Sequence, residues 1–359
     1  MDRAGRRQAL ELLVAGEGMV RANVPMLMKA NPFFDLAGEE FGQRLMLTNG
    51  ADGEEYCLRP DFTLPIVQDY LEGGKKGPET YGYLGPIFRQ RPEGPAEIEQ
   101  AGIELIGQAD PDAALDRVFS FVFEIISLFG VGELQIRLGS VELFEAVLGR
   151  LEMPSVWRPR LRHRYGHPEA MERLIERLTD PHSGTSGSLP WKRDALVNVV
   201  TDQLISAGFS IDGGRTPEEV ADRYFEKQQL AAARVPPETV QFLREFLATS
   251  GTQRDGLECV KKFADKAGIN LDDEVSRIAR HADFLSAHAL VRDVSFDAGF
   301  SPRLDYYTGL VFEMTGAGDD VLASGGEYGR LLERLGAATR IAASGSAVWV
   351  DRLNAEASE

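Results

Sequence analysis

The sequence predicts an α+β fold in which a mostly antiparallel sheet flanked by helices is interrupted by an inserted helical module. Three observations carry this expectation. Strand patterning is present in residues 1–150, vanishes between about Leu151 and Arg292, and returns in residues 293–359, while a hairpin signal lies near residue 50. Two segments, 1–150 and 293–359, are therefore expected to build one core, with 151–292 as the insertion.

Taken in order, residues 5–18 read as an amphipathic helix with Leu10, Leu13 and Val14 on one side and Arg3, Arg6 and Arg7 leading in. An Arg-rich transit peptide is the rival reading, opposed by the acidic residues. Arg44–Thr48 and Glu54–Arg59 flank Asn-Gly-Ala-Asp-Gly and predict an antiparallel hairpin. Asp110 as N-cap, Pro111 at the first helical position and Gly130 as the stop bracket a helix that carries Leu115, Val118, Phe119, Val122, Phe123 and Ile126 at helical spacing. A strand alternating Leu134, Ile136 and Leu138 follows, and Ser140 caps the next helix. Within 151–292 the signals are helical, with a loop at His182–Ser188 and a capping box at Thr216-Pro217-Glu218-Glu219. Strands are expected again at Thr308–Met314, Val321–Ala323 and Ser346–Val350.

Composition narrows the function classes. At 359 residues and 43% apolar, the chain can bury a core large enough for roughly two domains. No apolar run reaches the ~20 residues of a membrane span and no signal-peptide core is visible, so a cytoplasmic location is expected by default. Cys57 and Cys259 are too few for a disulfide framework or a cysteine zinc site and read as buried thiols. A net charge of −17 argues against broad capture of nucleic acid, although a local basic patch can survive in an acidic protein. P-loop, zincin and dinucleotide fingerprints are all missing. His163-Arg-Tyr-Gly-His167 has metal-like spacing, but Gly166 and Pro168 weaken the helix such a site needs; no metal and no cofactor are expected.

The segment Gly85–Arg89 followed by Ile98–Gly107 is more informative. As a strand, its second half sets Gln100, Gly102 and Glu104 on one face and Ala101, Ile103 and Leu105 on the other. Polar groups separated by a small residue read either as a pocket floor or as the solvated face of an antiparallel sheet. Leu58-Arg59-Pro60-Asp61-Phe62-Thr63, Leu304-Asp305-Tyr306-Tyr307-Thr308, Ser324-Gly325-Gly326-Glu327-Tyr328 and Gly345–Leu353 complete an ordered set. Together these runs resemble the catalytic core of class II histidyl-tRNA synthetases over about residues 1–150 and 290–359. The resemblance implies that Asp61 and Thr63 hold the α-amino group of histidine and that Arg89 holds a carboxylate. It also implies that Gln100 and Glu104 line the pocket, with Glu104 on the imidazole, and that Tyr307 and Tyr328 close it.

The same resemblance shows what has changed. Pro302 stands where the family has its catalytic arginine, with Arg303 displaced into the next position, and proline supplies no cation for a transferring phosphorus centre. Ala96 aligns with the second phosphate-binding arginine. Trp349 aligns with the glycine that admits adenine, on the strand face of Gly345 and Ala347, whereas Arg352 is retained. Only six residues follow Leu353, leaving no room at that end for an anticodon-binding domain, and no basic stripe with interleaved aromatics appears in the insertion.

A core that keeps the amino-acid pocket but loses the nucleotide contacts resembles the synthetase paralogues that serve as regulatory subunits of short-form ATP phosphoribosyltransferase in histidine biosynthesis. The resemblance implies no catalytic residue and a homodimer through Arg21–Met28. It further implies assembly with the catalytic subunit into a hetero-oligomer, L-histidine as feedback effector and no tRNA. A minimal ligase that still adenylates an amino acid is the enzyme-class alternative, and a scaffold for some other enzyme is the third.

Overall fold

The computed structural model describes residues 2–36, 39–75, 77–179, 193–206, 216–232, 234–302, 304, 306–318 and 320–357. Side chains are described for these except 35, 36, 39, 40, 179, 193–195, 204–206 and 225–232. The chain divides into two compact units, one formed by Met1–Val147 with Phe246–Glu359 and the other by Leu148–Glu245.

Strands among the described residues are β1 (Val20–Arg21), β2 (Leu27–Lys29), β3 (Leu47–Asn49), β4 (Glu55–Leu58), β5 (Glu79–Phe88), β6 (Glu97–Ile106), β7 (Leu134–Ser140), β8 (Ser250–Thr252), β9 (Val291–Asp297), β10 (Leu310–Thr315), β11 (Val321–Glu327) and β12 (Ala343–Trp349). All belong to the first unit. Nine of them form one sheet in the order β1-β5-β6-β12-β11-β10-β7-β9-β8, and β2-β4-β3 form a second. The large sheet is mixed: β1 with β5 and β7 with β9 run parallel, and the other neighbours run antiparallel.

The best-marked helix forms as its sequence dictates. Asp110 accepts from the backbone N–H groups of Asp112 and Ala113, each at 3.0 Å, Pro111 fills the first position, and Gly130 ends the Pro111–Phe129 helix with φ at 72°. All six predicted apolar positions are buried. The helix packs across β6, β12 and β11, and Phe119 meets Phe312 of β10 edge to face at 5.0 Å. Each such side chain contributes about 1.5–3 kcal/mol on leaving water. Ser140 caps the following helix through Leu143 N–H at 3.1 Å, as expected.

Several boundaries differ from the sequence reading. The first helix is Arg3–Leu13, capped by Asp2, rather than 5–18. The hairpin shortens to β3 and β4, and β2 pairs with the other edge of β4. The second junction of the insertion lies at Glu245/Phe246, not at 292. The reason is β8, a Ser-Gly-Thr strand with no apolar alternation to betray it, which joins the sheet beside β9. The helices Gln253–Lys266 and Asp272–Ser286 then pack on β9 and belong to the core unit. From the second of these, Arg277 reaches Asp112 at 2.6 Å, Glu142 at 3.0 Å and Glu327 at 2.7 Å.

The 148–245 unit is helical among its described residues. It buries Trp157, Leu161, Met171, Ile175 and Leu243, and the Thr216 capping box forms, with Glu219 N–H on Thr216 Oγ1 at 3.2 Å and Thr216 N–H on Glu219 Oε2 at 3.1 Å. The His182–Ser188 loop lies outside the described residues. No helix among those described is long and apolar enough to cross a membrane.

Candidate functional site

β6 and β12 lie side by side in a register that pairs Gln100 with Trp349, Gly102 with Ala347 and Glu104 with Gly345. Directly opposed residues in an antiparallel pair share a face, so all six side-chain positions look the same way. Gln100 and Glu104 are each 1% exposed, which removes the solvated-face reading. Both glycines have a steric reason. A Cβ on Gly102 collides with the Tyr83 ring and hydroxyl, and one on Gly345 lands on the Glu104 carboxylate. Thus Gly102 makes room for Tyr83, whose hydroxyl donates to the Ser346 carbonyl at 2.9 Å, rather than for a ligand as the sequence spacing invited.

Glu104 is held from two directions. Thr63, the first residue of the Thr63–Glu72 helix, donates its hydroxyl to Oε1 at 2.6 Å, and the Tyr328 hydroxyl donates to Oε2. Burial nevertheless pushes the Glu104 carboxyl up to about 8; the two hydroxyls pull it down and the nearby Asp61 charge raises it further. Asp61 sits at the entry to the same helix, where Leu64 N–H donates to Oδ1 at 3.3 Å. Its carboxyl is raised by burial, with the Arg89 charge, Leu64 N–H and the Tyr306 hydroxyl opposing. Arg89 is tied down by donating Nε–H to the Pro60 carbonyl at 2.7 Å, and its guanidinium lies 4.9 Å from the Phe41 ring centroid.

Tyr306, Tyr307 and Tyr328 close this cluster, with ring centroids 5.2 Å apart for the first pair and 5.9 Å for Tyr306 and Tyr328. Burial, then the charge of Asp61 for Tyr306, of Glu104 and Asp61 for Tyr307, and of Glu104 for Tyr328, raise all three hydroxyls, so they remain hydrogen-bond donors. The structure therefore brings Asp61, Thr63, Arg89, Glu104, Tyr307 and Tyr328 into one neighbourhood, with Gln100 on the same strand face as Glu104. It adds Tyr306 and Tyr83, which the sequence reading left out; doublet chemistry in Tyr306-Tyr307 was the available signal. Arg59 is structural: it donates to the Pro86 carbonyl and stacks at 4.1 Å on Phe62, which stacks on Tyr83 at 4.4 Å.

Two buried atoms in this cluster, Asp61 Oδ2 and Gln100 Nε2, find no hydrogen-bond partner among the described residues. An orphaned acceptor and an orphaned donor each cost roughly 1–3 kcal/mol when buried. A small polar molecule carrying both kinds of group would satisfy them.

The positions that departed from the synthetase pattern stay distinct. Pro302 is buried and accepts from Leu304 N–H at 2.7 Å; Arg303 and Asp305 lie outside the described residues. Ala96 closes the turn after β5 by accepting Arg89 N–H at 2.9 Å. Trp349 projects from the pocket face beside Gln100, and the retained Arg352 lies 5.0 Å over its ring while donating to the Val321 carbonyl. His163 ends one helix and His167 sits in the turn before the next, and no cluster of three metal-ligating side chains occurs among the described residues.

Comparison with known proteins follows this geometry. The family model for histidyl-tRNA synthetase matches residues 2–175 and 221–353. The ATP phosphoribosyltransferase regulatory subunit of Agrobacterium fabrum is 39% identical over 345 residues, covering 93% of this chain and 92% of that protein. Among solved structures, an ATP phosphoribosyltransferase regulatory subunit/histidyl-tRNA synthetase from Bacillus halodurans superposes with a TM-score of 0.66 at 19% identity, over 99% of this chain and 79% of that one. A chain of the ATP phosphoribosyl transferase (HisG:HisZ) complex from Thermotoga maritima does so with a TM-score of 0.54 at 14% identity, over 96% of each chain. At these identities the two structures speak for the fold.

Proposed function

The chain belongs to the ATP phosphoribosyltransferase regulatory subunits, within the histidyl-tRNA synthetase family, and from that premise we propose that its buried carboxylate site holds free L-histidine as a feedback signal. It is a non-catalytic subunit in histidine biosynthesis and works with a catalytic ATP phosphoribosyltransferase. The observation that carries the histidine reading is the pair of orphaned atoms, Asp61 Oδ2 and Gln100 Nε2, beside a carboxyl tuned to about 8.

The chemistry fits the ligand group by group. Asp61 Oδ2 is an open acceptor for the ammonium, and Arg89 supplies the cation for the carboxylate. Glu104, protonated over much of the neutral range, shares a proton with an imidazole nitrogen whose own ordinary value lies near 6.5. Tyr306, Tyr307 and Tyr328 exclude water around them. Pro302 and Trp349 support the absence of adenylation, since the first removes a cation and the second puts an indole on the pocket face.

In this reading the catalytic partner is the short form, which needs this subunit for activity, and no tRNA is bound. A homodimer through the segment around Arg21–Met28 is supported by the exposed Val20, Met26, Leu27, Phe34 and Leu47, an apolar set a monomer leaves in water. Histidine inhibits only if it binds the active and inactive assemblies with different affinity, so histidine and substrate should weaken each other's binding by the same factor.

The test mixes the purified chain with a short catalytic subunit and follows phosphoribosyl-ATP formation with and without histidine, alongside calorimetry of histidine binding. Expected are co-elution, activation and histidine inhibition, with Glu104→Ala relieving inhibition but not assembly. No complex at micromolar subunits would overturn the partner reading. Histidine-dependent ATP–pyrophosphate exchange by the isolated chain would reinstate the ligase.

A further inference from the structure

Arg277 projects from the Asp272–Ser286 helix into a junction of three carboxylates, Asp112, Glu142 and Glu327, all within the core unit. The three pairs are unequal. Asp112 and Glu142 keep 38% and 50% of their side chains in solvent, where an ion pair is worth little. Glu327 keeps 14% and is gripped by two nitrogens of the guanidinium, Nη1 on Oε2 at 2.9 Å and Nη2 on Oε1 at 2.7 Å. With the guanidinium gone, Asp112 and Glu142 can turn to water, whereas Glu327 is left largely out of water and facing two like charges.

Glu327 in turn organises both sides of the tyrosine wall. Its Oε2 accepts Leu310 N–H at 2.8 Å, and its backbone carbonyl accepts Thr308 N–H at 2.8 Å. A Cβ on Gly309, between them, would land on the Glu327 carboxylate, and the Gly309 carbonyl accepts Val141 N–H at 2.9 Å. The stretch directly after Tyr306-Tyr307 is thus pinned at three successive residues, two of them bonded to Glu327. On the other side, Tyr328 follows Glu327 in the chain and donates to the Glu104 carboxylate. Arg280 and His281 of the same helix bind elsewhere: Arg280 reaches Asp116 at 2.8 Å, and His281 lies 2.9 Å from Asp116 and 3.3 Å from Asp112. Those contacts dock the helix on Pro111–Phe129.

We propose that Arg277 is a positioning residue of the buried carboxylate site: through Glu327 it holds the Tyr306–Leu310 stretch and Tyr328 where they enclose the ligand. Its effect on affinity rests on the histidine reading, and its effect on the stretch rests on Glu327 alone.

Two measurements on the full chain test this, with Arg277→Ala, Glu327→Gln, the two combined, and Arg280→Ala as the control that loosens the helix at Asp116 instead. In ligand-free protein, amide exchange over residues 306–310 should quicken by about tenfold in Arg277→Ala and Glu327→Gln and stay within about twofold of the parent in Arg280→Ala. By calorimetry, histidine affinity should fall by about tenfold in Arg277→Ala and by no more in the combined variant, because both changes break the same link. Arg277→Lys keeps the charge without the fork and should lose about threefold; it carries the comparison where the alanine variant does not fold. Unchanged exchange over 306–310, equal losses in Arg280→Ala, or additive losses in the combined variant overturn the positioning role. A parent chain that binds no histidine, with exchange still quickened by Arg277→Ala, removes the histidine reading and upholds Arg277 as the holder of the tyrosine wall.

Discussion

In the core unit, Asp61, Arg89 and Glu104 have been taken out of water among tyrosines and sheet backbone, and their charges are governed by burial and by a few hydroxyl and amide donors. In the 148–245 unit, Arg164, Arg173 and Arg177 remain in solvent, Arg173 beside Glu169 at 3.7 Å. Salt scarcely reaches the first arrangement, whereas it screens the second. The two units thus expose their charged groups to different variables.

The strongest way to break the first arrangement is steric. Gly345→Ala puts a methyl group on the Glu104 carboxylate, so the carboxylate leaves its two hydroxyls or the β6–β12 register yields. Thermal or chemical unfolding should show a loss of roughly 3 kcal/mol, and histidine titration should show no binding. Retained histidine affinity in this variant would mean that Glu104 is not on the ligand.

The proton itself gives the next test. Glu104 titrates at about 8 in the fold against 4.5 ordinarily, so the folded state holds an extra proton between these values. Its contribution to stability is fully present below about 4.5 and declines as the pH rises through about 8, on the order of a few kcal/mol in all. Unfolding midpoints of the ligand-free protein across this range should fall, and those of Glu104→Gln should flatten. Parallel curves for the two proteins would remove Glu104 from the pH response.

Ionic strength sharpens the contrast. Raising salt from about 0.05 to about 0.5 M shortens the screening length several-fold; histidine affinity, set by buried groups, should drop by less than about twofold. A drop of about tenfold would place the ligand at exposed charges instead. The smallest effect is local: Thr216→Ala removes the hydroxyl of the capping box and should cost about 1 kcal/mol, visible as faster amide exchange in the first turn of Pro217–Ala232 and without change in histidine affinity.

What could be read in the sequence was what neighbours in the chain decide. The Asp110-Pro111 start and Gly130 stop, the Ser140 cap and the Thr216–Glu219 box need only local hydrogen bonds, and all formed. The face of Gln100 and Glu104 followed from strand alternation, but its burial required β5 and β12, which lie elsewhere in the sequence. β8 has no pattern of its own and exists because β9 offers an open edge. The choice between Tyr306 and Tyr307 was not available to periodicity, since the turn they occupy buries both.

The register that joins Glu104 to Gly345 also sets a timetable. β6 is an interior strand whose second neighbour is made some 240 residues later, after the whole 148–245 unit has left the ribosome. Through most of synthesis one long edge of β6 is open, and the Pro111–Phe129 helix has only part of the sheet beneath it. Contacts of such high sequence separation make folding slow and leave intermediates prone to stick. The edge of β6 therefore closes only when the final strand arrives, which makes the core of this protein a late product of its own translation.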